Sequence, residues 1–507
     1  MNMDQDSSTP IEPASDGKFP VRRSGVYLRP DNSRMLLRPF HPQSDQRARE
    51  MIRRILDMST AELEGGLQKI MLHFSQEHAD IDSVFSKRCR QLAHLLPKAT
   101  EPSPLQSLLI GAYFMSEYSL QSAALFNPSI VAHPDQEGIP SGALRFVMSL
   151  RATGEGHISS IEFRSGTISE TGDLAFDPVS GSVTTPEIRY PRYRKADFVA
   201  TCLELGIDEA FIAAAFDDLA ETFDPDELET FLRHPERWPC STGMSAYECE
   251  HEQKSVGEAL RWAAHCDYLV EFPKSLGLSE RAIFPVSPSE KGGIEDARFV
   301  RFREDNGSQR YYATYTAFDG QGILPQLIET DDFLKFRLRP LHGAAARDKG
   351  MALFPRRIDG RYAMLGRQGG VNITLMFSDD VHHWDDHRVL MEPEAPWEYV
   401  QIGNCGSPLE TEAGWLVLTH GVGAMRNYCI GAALLDLDDP QKVIGRLRHS
   451  ILEPHDHERD GYVPNVVYSC GSLIHNGCLV LPYAVNDYAT TNAVIPIKPL
   501  LDRLVRS

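Results

Sequence analysis

Residues 414–423 read GWLVLTHGVG, an apolar run long enough for one strand that ends in a histidine and two glycines. The same shape recurs in LRFVMSLRATG (144–154), RYYATYTAFDG (310–320), GRYAMLGRQGG (360–370) and GCLVLPYAVND (477–487). Each is an alternating or apolar strand that finishes in polar, mostly Gly-rich sequence. The starts at 310, 360, 414 and 477 lie about 50, 54 and 63 residues apart, intervals that suit a four-stranded blade in a radial repeat. Further strand-like runs fall between them, such as NITLMFSDD (372–380) and YCIGAALLDL (428–437). The reading is a mainly β chain folded as a five-bladed β-propeller. Five such repeats could also make a paired β-sandwich. The propeller is favoured because its innermost strands deliver their polar ends to one central pocket.

The first interval, about 166 residues, is too long for one blade. A helical insert at about 190–268 explains the excess, carried by FIAAAFDDLAETF (211–223) and SVGEALRWAAH (255–265). Residues 21–120 read as a helical N-terminal region. Within it Ser59 and Glu62 form a capping box, followed by Leu67, Ile70, Met71 and Phe74 at helical spacing. Residues 1–20 have the composition of a disordered tail, and 121–507 form the interrupted propeller domain.

Composition narrows the function classes. The chain has 507 residues, 42% hydrophobic and 24% charged, with a formal net charge of -20. That charge argues against nucleic acid, whose phosphates need a basic face. Nine scattered cysteines without a Cys-x-x-Cys pair argue against a disulfide framework or zinc site and fit a reducing compartment. No leader-like or membrane-spanning apolar run is present, so a cytoplasmic protein without a membrane partner is expected. His455-Asp456-His457 lacks a third well-spaced ligand, and no phosphate-binding, dinucleotide or nucleophile-elbow motif occurs. No metal or bound cofactor is expected.

Eight segments read in order are more informative. They are Asn127-PSIV, Arg151 within SLRATGEG, Gly293-IEDARFV, Tyr315-TAFDG, Lys349 followed by ALFPRRIDGRYAMLGR, Gly406-SPLETEAGWLVLTHGV, Gly461-YVPNVVYSCG and Tyr483-AVND. Together they resemble glycoside hydrolase family 130, the β-mannoside phosphorylases and β-mannosidases, over roughly 280 residues in pieces. The resemblance implies that Asp296, in Glu295-Asp296-Ala297-Arg298, is the acid, its proton reaching the glycosidic oxygen through the sugar's own 3-hydroxyl. Most members have Pro where this chain has Ala297. Lys349 and Arg367, with His420, match positions that hold phosphate. Asn127, Arg151 and Asp487 match positions that hold the mannose. Tyr315 and Tyr483 are candidates for stacking on sugar faces.

The chemistry agrees with that division of labour. Inverting cleavage by water needs a second carboxylate as base. Phosphate is already an anionic nucleophile and needs fixed cations instead. The leading expectation is an inverting β-mannoside phosphorylase. It would act on mannobiose, mannooligosaccharides or mannosyl-glucose, with inorganic phosphate as co-substrate, to give α-mannose 1-phosphate. Two alternatives stay open. One is a β-mannosidase of the same family, with Glu398, Glu410 or Glu412 as base. The other is a non-catalytic carbohydrate-binding propeller. The helical regions can cover the pocket, extend the acceptor site or build a homo-oligomer.

Overall fold

The computed structural model describes residues 20–506 apart from 76, 77, 79, 185, 205–206, 210–211, 213–215, 217–218, 235–237, 239–244 and 460. The expected tail at 1–20 lies outside the described residues except for Pro20, as does most of 211–218.

The chain is mainly β, in five successive antiparallel strand groups. The first holds Ala124–Ala132, Leu144–Thr153, Ser159–Ile168 and Leu174–Phe176. The second holds Gly293–Arg303, Gln309–Phe318, Ile323–Thr330 and Lys335–Pro340. The third holds Ala352–Leu353, Tyr362–Gly366, Ile373–Ser378 and Arg388–Met391. The fourth runs Gln401–Asn404, Gly414–Val422, Tyr428–Leu435 and Val443–Arg446, and the fifth Val467–Tyr468, Cys478–Val485 and Ala489–Pro496. The N-terminal strand Arg22–Arg23 pairs with Ala489–Pro496 and supplies the fifth group's outer edge.

Period-two alternation explains how these sheets stack. Trp415 and Val417 face one side and pack with Phe354, Leu365 and Leu375 of the third group. Leu416 and Leu418 face the other side and pack with Leu479, Leu481 and Ile495 of the fifth. Both faces are covered, so the strand is apolar throughout rather than alternating. Analogous clusters lie between the first and second groups (Val147, Phe163, Phe299, Tyr311), the second and third (Phe302, Tyr312, Met364, Met376), and the fifth and first (Val480, Leu125, Phe146, Met148). Each fully buried large side chain contributes about 1.5–3 kcal/mol.

Hydrogen bonds tie each group to the next. Phe299 N donates to Ser129 Oγ (3.0 Å), Arg303 N to Pro355 O (2.8 Å), Ile402 N to Val371 O (2.8 Å) and Tyr428 N to Asn465 O (2.9 Å). The fifth group returns to the first through Leu125 N to Tyr488 O (2.9 Å) and Cys470 N to Pro128 O (2.9 Å).

Several details differ from the sequence reading. The first two groups share one continuous sheet through a single parallel pair, Gly293 with Ser159. The helical insert was expected in the first-blade region. Its helices Lys195–Glu204, Pro225–Leu232 and Ala246–Cys266 instead lie between strands Glu187–Arg189 and Tyr268–Glu271, which pair with each other. Tyr268–Glu271 extends the second group beyond Lys335–Pro340, whose outer edge would otherwise stay unpaired. Residues 115–119 are a strand, not helix, paired with Met35–Pro39. Cys249 is disulfide-bonded, and the other described cysteines are free.

The N-terminal helices are Asp45–Leu56, Thr60–Phe74, Ile81–Gln91 and Pro104–Tyr113. The Ser59–Glu62 capping box is formed, with Ser59 N donating to Glu62 Oε2 at 2.7 Å. No helix among the described residues is long and apolar enough to cross a membrane.

Candidate active site

Two strand bulges build the floor of a cavity of about 450 Å³. The register of Ala124–Ala132 slips between Phe126 and Ser129, and that of Gly293–Arg303 between Glu295 and Arg298. The residues freed by the slips are Asn127 (φ 49°) and Asp296 (φ 55°), both left-handed. A bulge re-aims a side chain out of the pleat, and Asn and Asp tolerate this backbone better than most residues. The two side chains meet: Asn127 Nδ2 donates to Asp296 Oδ1 at 2.7 Å. Asn127 Oδ1 is buried without a hydrogen-bond partner, an acceptor suited to a sugar hydroxyl.

Turns between second and third strands supply the walls. Arg367 follows Tyr362–Gly366, Arg426 (φ 56°) lies in the turn before Tyr428–Leu435, and Asp487 (φ 50°) sits between Cys478–Val485 and Ala489–Pro496. His157 (φ 61°) occupies the matching turn of the first group. Four cations (Arg151, Lys349, Arg367, Arg426) and three carboxylates (Glu295, Asp296, Asp487) line the cavity.

The charges are cross-linked. Arg151 Nη2 donates to Glu295 Oε1 (2.8 Å) and Nη1 to Asp296 Oδ1 (3.3 Å). Lys349 Nζ donates to Glu295 Oε2 at 2.7 Å. Arg298 stands behind, its Nη1 on Asn404 (3.2 Å) and its Nη2 donating to the Tyr468 hydroxyl (2.6 Å). Burial alone would raise the Asp296 pKa, but Arg151, Arg298, the Asn127 hydrogen bond and Lys349 outweigh it and hold the carboxyl below its usual range. Asp487 goes the other way. Burial and the Asp296 charge raise it to about 6, against Arg151 and Arg426.

His420 is a neutral acceptor. Its Nδ1 lies 3.1 Å from Asn404 O and must carry the proton, so Nε2 accepts from Arg367 Nη1 at 3.2 Å. Burial, then Arg367 and Arg298, push the imidazole well below its ordinary pKa. His420 therefore orients Arg367, whose Nε is buried without a partner. Opposite it stands Gly403, where a Cβ would lie 2.3 Å from His420 Cε1.

Of the nine residues singled out from the sequence, Asn127, Arg151, Asp296, Lys349, Arg367, His420 and Asp487 converge on this cavity. Tyr315 and Tyr483 do not line it, a correction to their expected stacking role. The Tyr315 hydroxyl is buried against Glu290 (2.6 Å) and that of Tyr483 against Glu458 (2.9 Å), so both rings are packing elements. Glu410 pairs with Arg356 (2.9 Å) and Glu398, fully buried, with Arg446 (2.7 Å); neither lines the cavity, and nor does Glu412. Among the described residues no cluster suits a metal.

Cavity residues that escaped the sequence reading include His157, Arg426, Tyr462 and Tyr468. A signal for two of them existed. Aligning RATGEGH (151–157) with HGVGAMR (420–426) equates Arg151 with His420 and His157 with Arg426. The turns are the same, Gly154 at φ -107°, ψ -158° and Gly423 at φ -106°, ψ -159°.

Known proteins resemble part of this chain. A family model described as beta-1,4-mannooligosaccharide phosphorylase matches residues 274–506. A 1,2-beta-oligomannan phosphorylase of Thermoanaerobacter sp. (strain X514) is 38% identical over 215 residues, covering 42% of this chain and 71% of the relative. The chain belongs to glycoside hydrolase family 130. A second relative from that organism, a beta-1,2-mannobiose phosphorylase, is 37% identical over 213 residues, 41% of this chain and 68% of its own. The solved beta-1,2-mannobiose phosphorylase of Listeria innocua aligns over 77% of this chain and 94% of its own, at 23% identity and a TM-score of 0.45. The family match begins after Asn127 and Arg151, which reach Asp296 through the hydrogen bonds described above.

Proposed function

We propose that this family 130 chain is an inverting β-mannoside phosphorylase that releases α-mannose 1-phosphate from β-linked mannobiose or mannooligosaccharides. The observation that carries the reading is the placement of Lys349 and Arg367 on the same cavity as Asp296, with Arg367 Nε still free to donate. Phosphate bound there attacks the anomeric carbon of a mannose held by Asn127, Arg151 and Asp487. The bond to the leaving oxygen breaks as the new C–O–P bond forms. The proton needed by the leaving sugar reaches it through Asp296, and hydrogen phosphate supplies that proton overall. Arg151 and Arg298 keep Asp296 ionised at rest, so it takes up a proton only as the site loads.

The proposal includes the architecture. The five hydrogen-bonded groups are five blades around the cavity axis, the fifth completed by Arg22–Arg23. Residues 21–120 are an N-terminal region that carries helices and the strand pair Met35–Pro39 with Met115–Ser119, 121–507 the catalytic propeller, and about 190–268 its insert. It includes a cytoplasmic setting, where phosphate is plentiful, and no bound cofactor. Of the carboxylates offered as base for a β-mannosidase, Glu398 and Glu410 are engaged elsewhere and Glu412 does not line the cavity. Incubation with β-1,2-mannobiose, with and without phosphate, tests the reading. Phosphate-dependent mannose 1-phosphate supports it; free mannose without phosphate, or no turnover across a panel of β-mannosides, refutes it.

A further inference from the structure

We infer that His157 and Tyr462 form the platform on which the leaving sugar stacks, and that this pair selects the acceptor; the inference rests on the phosphorylase reading above. Both residues line the cavity, and their rings are stacked, with centroids 6.0 Å apart and an interplanar angle of 29°. Tyr462 is 62% exposed, unlike the floor residue Asn127 at 5%. The pair therefore lies at the mouth, above the groups that hold the mannose. A pyranose ring presents a weakly polar face of C–H groups that packs on an aromatic ring.

Direction supports the same assignment. Inverting displacement puts the attacking and leaving oxygens on opposite sides of the anomeric carbon. Lys349 and Arg367 belong to the third strand group. His157 belongs to the first and Tyr462 precedes the fifth, two groups hydrogen-bonded to each other and separated from the third by the second and fourth. The leaving sugar thus departs toward His157 and Tyr462.

The platform is built on fixed backbone. His157 is held left-handed, a conformation a non-glycine residue keeps only when its surroundings impose it. At Gly461, just before Tyr462, a Cβ would lie 2.4 Å from Asn486 Cβ, so the chain presses on the neighbour of Asp487. Upstream, buried Glu458 is anchored by Arg23 and Tyr483. The buried Tyr483 thereby supports the loop that presents Tyr462.

The test uses the full chain in the synthetic direction, with α-mannose 1-phosphate as donor and mannose as acceptor. Tyr462→Ala and His157→Ala should each raise the acceptor KM by roughly five- to tenfold, with the donor KM within about twofold. Tyr462→Phe, which keeps the ring, should stay near wild type. An unchanged acceptor KM in both alanine variants overturns the platform while leaving the phosphorylase reading intact. So does a parallel rise of both KM values, which would mark a merely structural role. A wild-type enzyme that makes no product overturns the phosphorylase reading and the platform with it.

Discussion

Asp296 and Asp487 share one cavity yet are driven in opposite directions, and the cause is which charges each faces. Asp296 faces Arg151, Arg298 and Lys349, whereas half-buried Asp487 faces Asp296. Replacing Asp296 by Asn removes the proton carrier, and kcat should fall about a thousandfold with little change in phosphate KM. Asp487 carries a stability consequence. Its folded pKa, about 6, lies above the usual carboxylate value, so its contribution is present at low pH and lost as pH rises through about 6. Asp487→Asn should therefore stabilise the fold by about 1–3 kcal/mol near pH 8, and by almost nothing below about pH 4. Urea unfolding at both pH values checks this; an equal gain at both would contradict it. The same variant should lose mannoside affinity. Lys349→Ala and Arg367→Ala should each raise phosphate KM by about 10- to 100-fold while leaving mannoside KM within a few-fold, read from initial rates with each substrate varied.

At the scale of the element, the cavity is a product of bulges and turns rather than of strands. The strands were legible because period-two packing leaves its mark on sequence, as in Trp415 and Leu416 facing opposite clusters. Asn127 and Asp296 are extra residues inside strands, and no alternation rule says where a strand will bulge. Their signal lies in the motifs Asn127-PSIV and Gly293-IEDARFV. Tyr315 and Tyr483 give no distinguishing signal, because a strand aromatic looks the same in sequence whether it faces a cavity or a buried carboxylate. His157 and Tyr462 sit in irregular chain, where no periodicity operates. The insert's attachment to the second group depends on pairing 70 residues apart, Asp267 to Arg337 and onward, which local sequence does not encode. One glycine tests the account of these elements. Gly403→Ala would drive a methyl into the His420 ring, so it should cost about 1–3 kcal/mol and raise phosphate KM by displacing Arg367. Thermal melts and phosphate titration together check it; a destabilised variant with normal phosphate KM would separate the ring from the anion site.

Over the whole molecule, the five strand groups return on themselves, and the N-terminal strand holds the last one in place. Arg23 both pairs with Ala493 and neutralises Glu458, which is 1% exposed. Arg23→Ala leaves that buried carboxylate without its cation, held by tyrosine hydroxyls such as Tyr483, and should destabilise the chain by about 2–4 kcal/mol. The central claim, however, is chemical, and phosphorus NMR of a reaction with β-1,2-mannobiose tests it most directly. The inorganic phosphate signal should fall as one α-configured sugar phosphate rises in equal amount, and Asp296→Asn should slow both changes about a thousandfold. Mannose appearing with the phosphate signal untouched would contradict it.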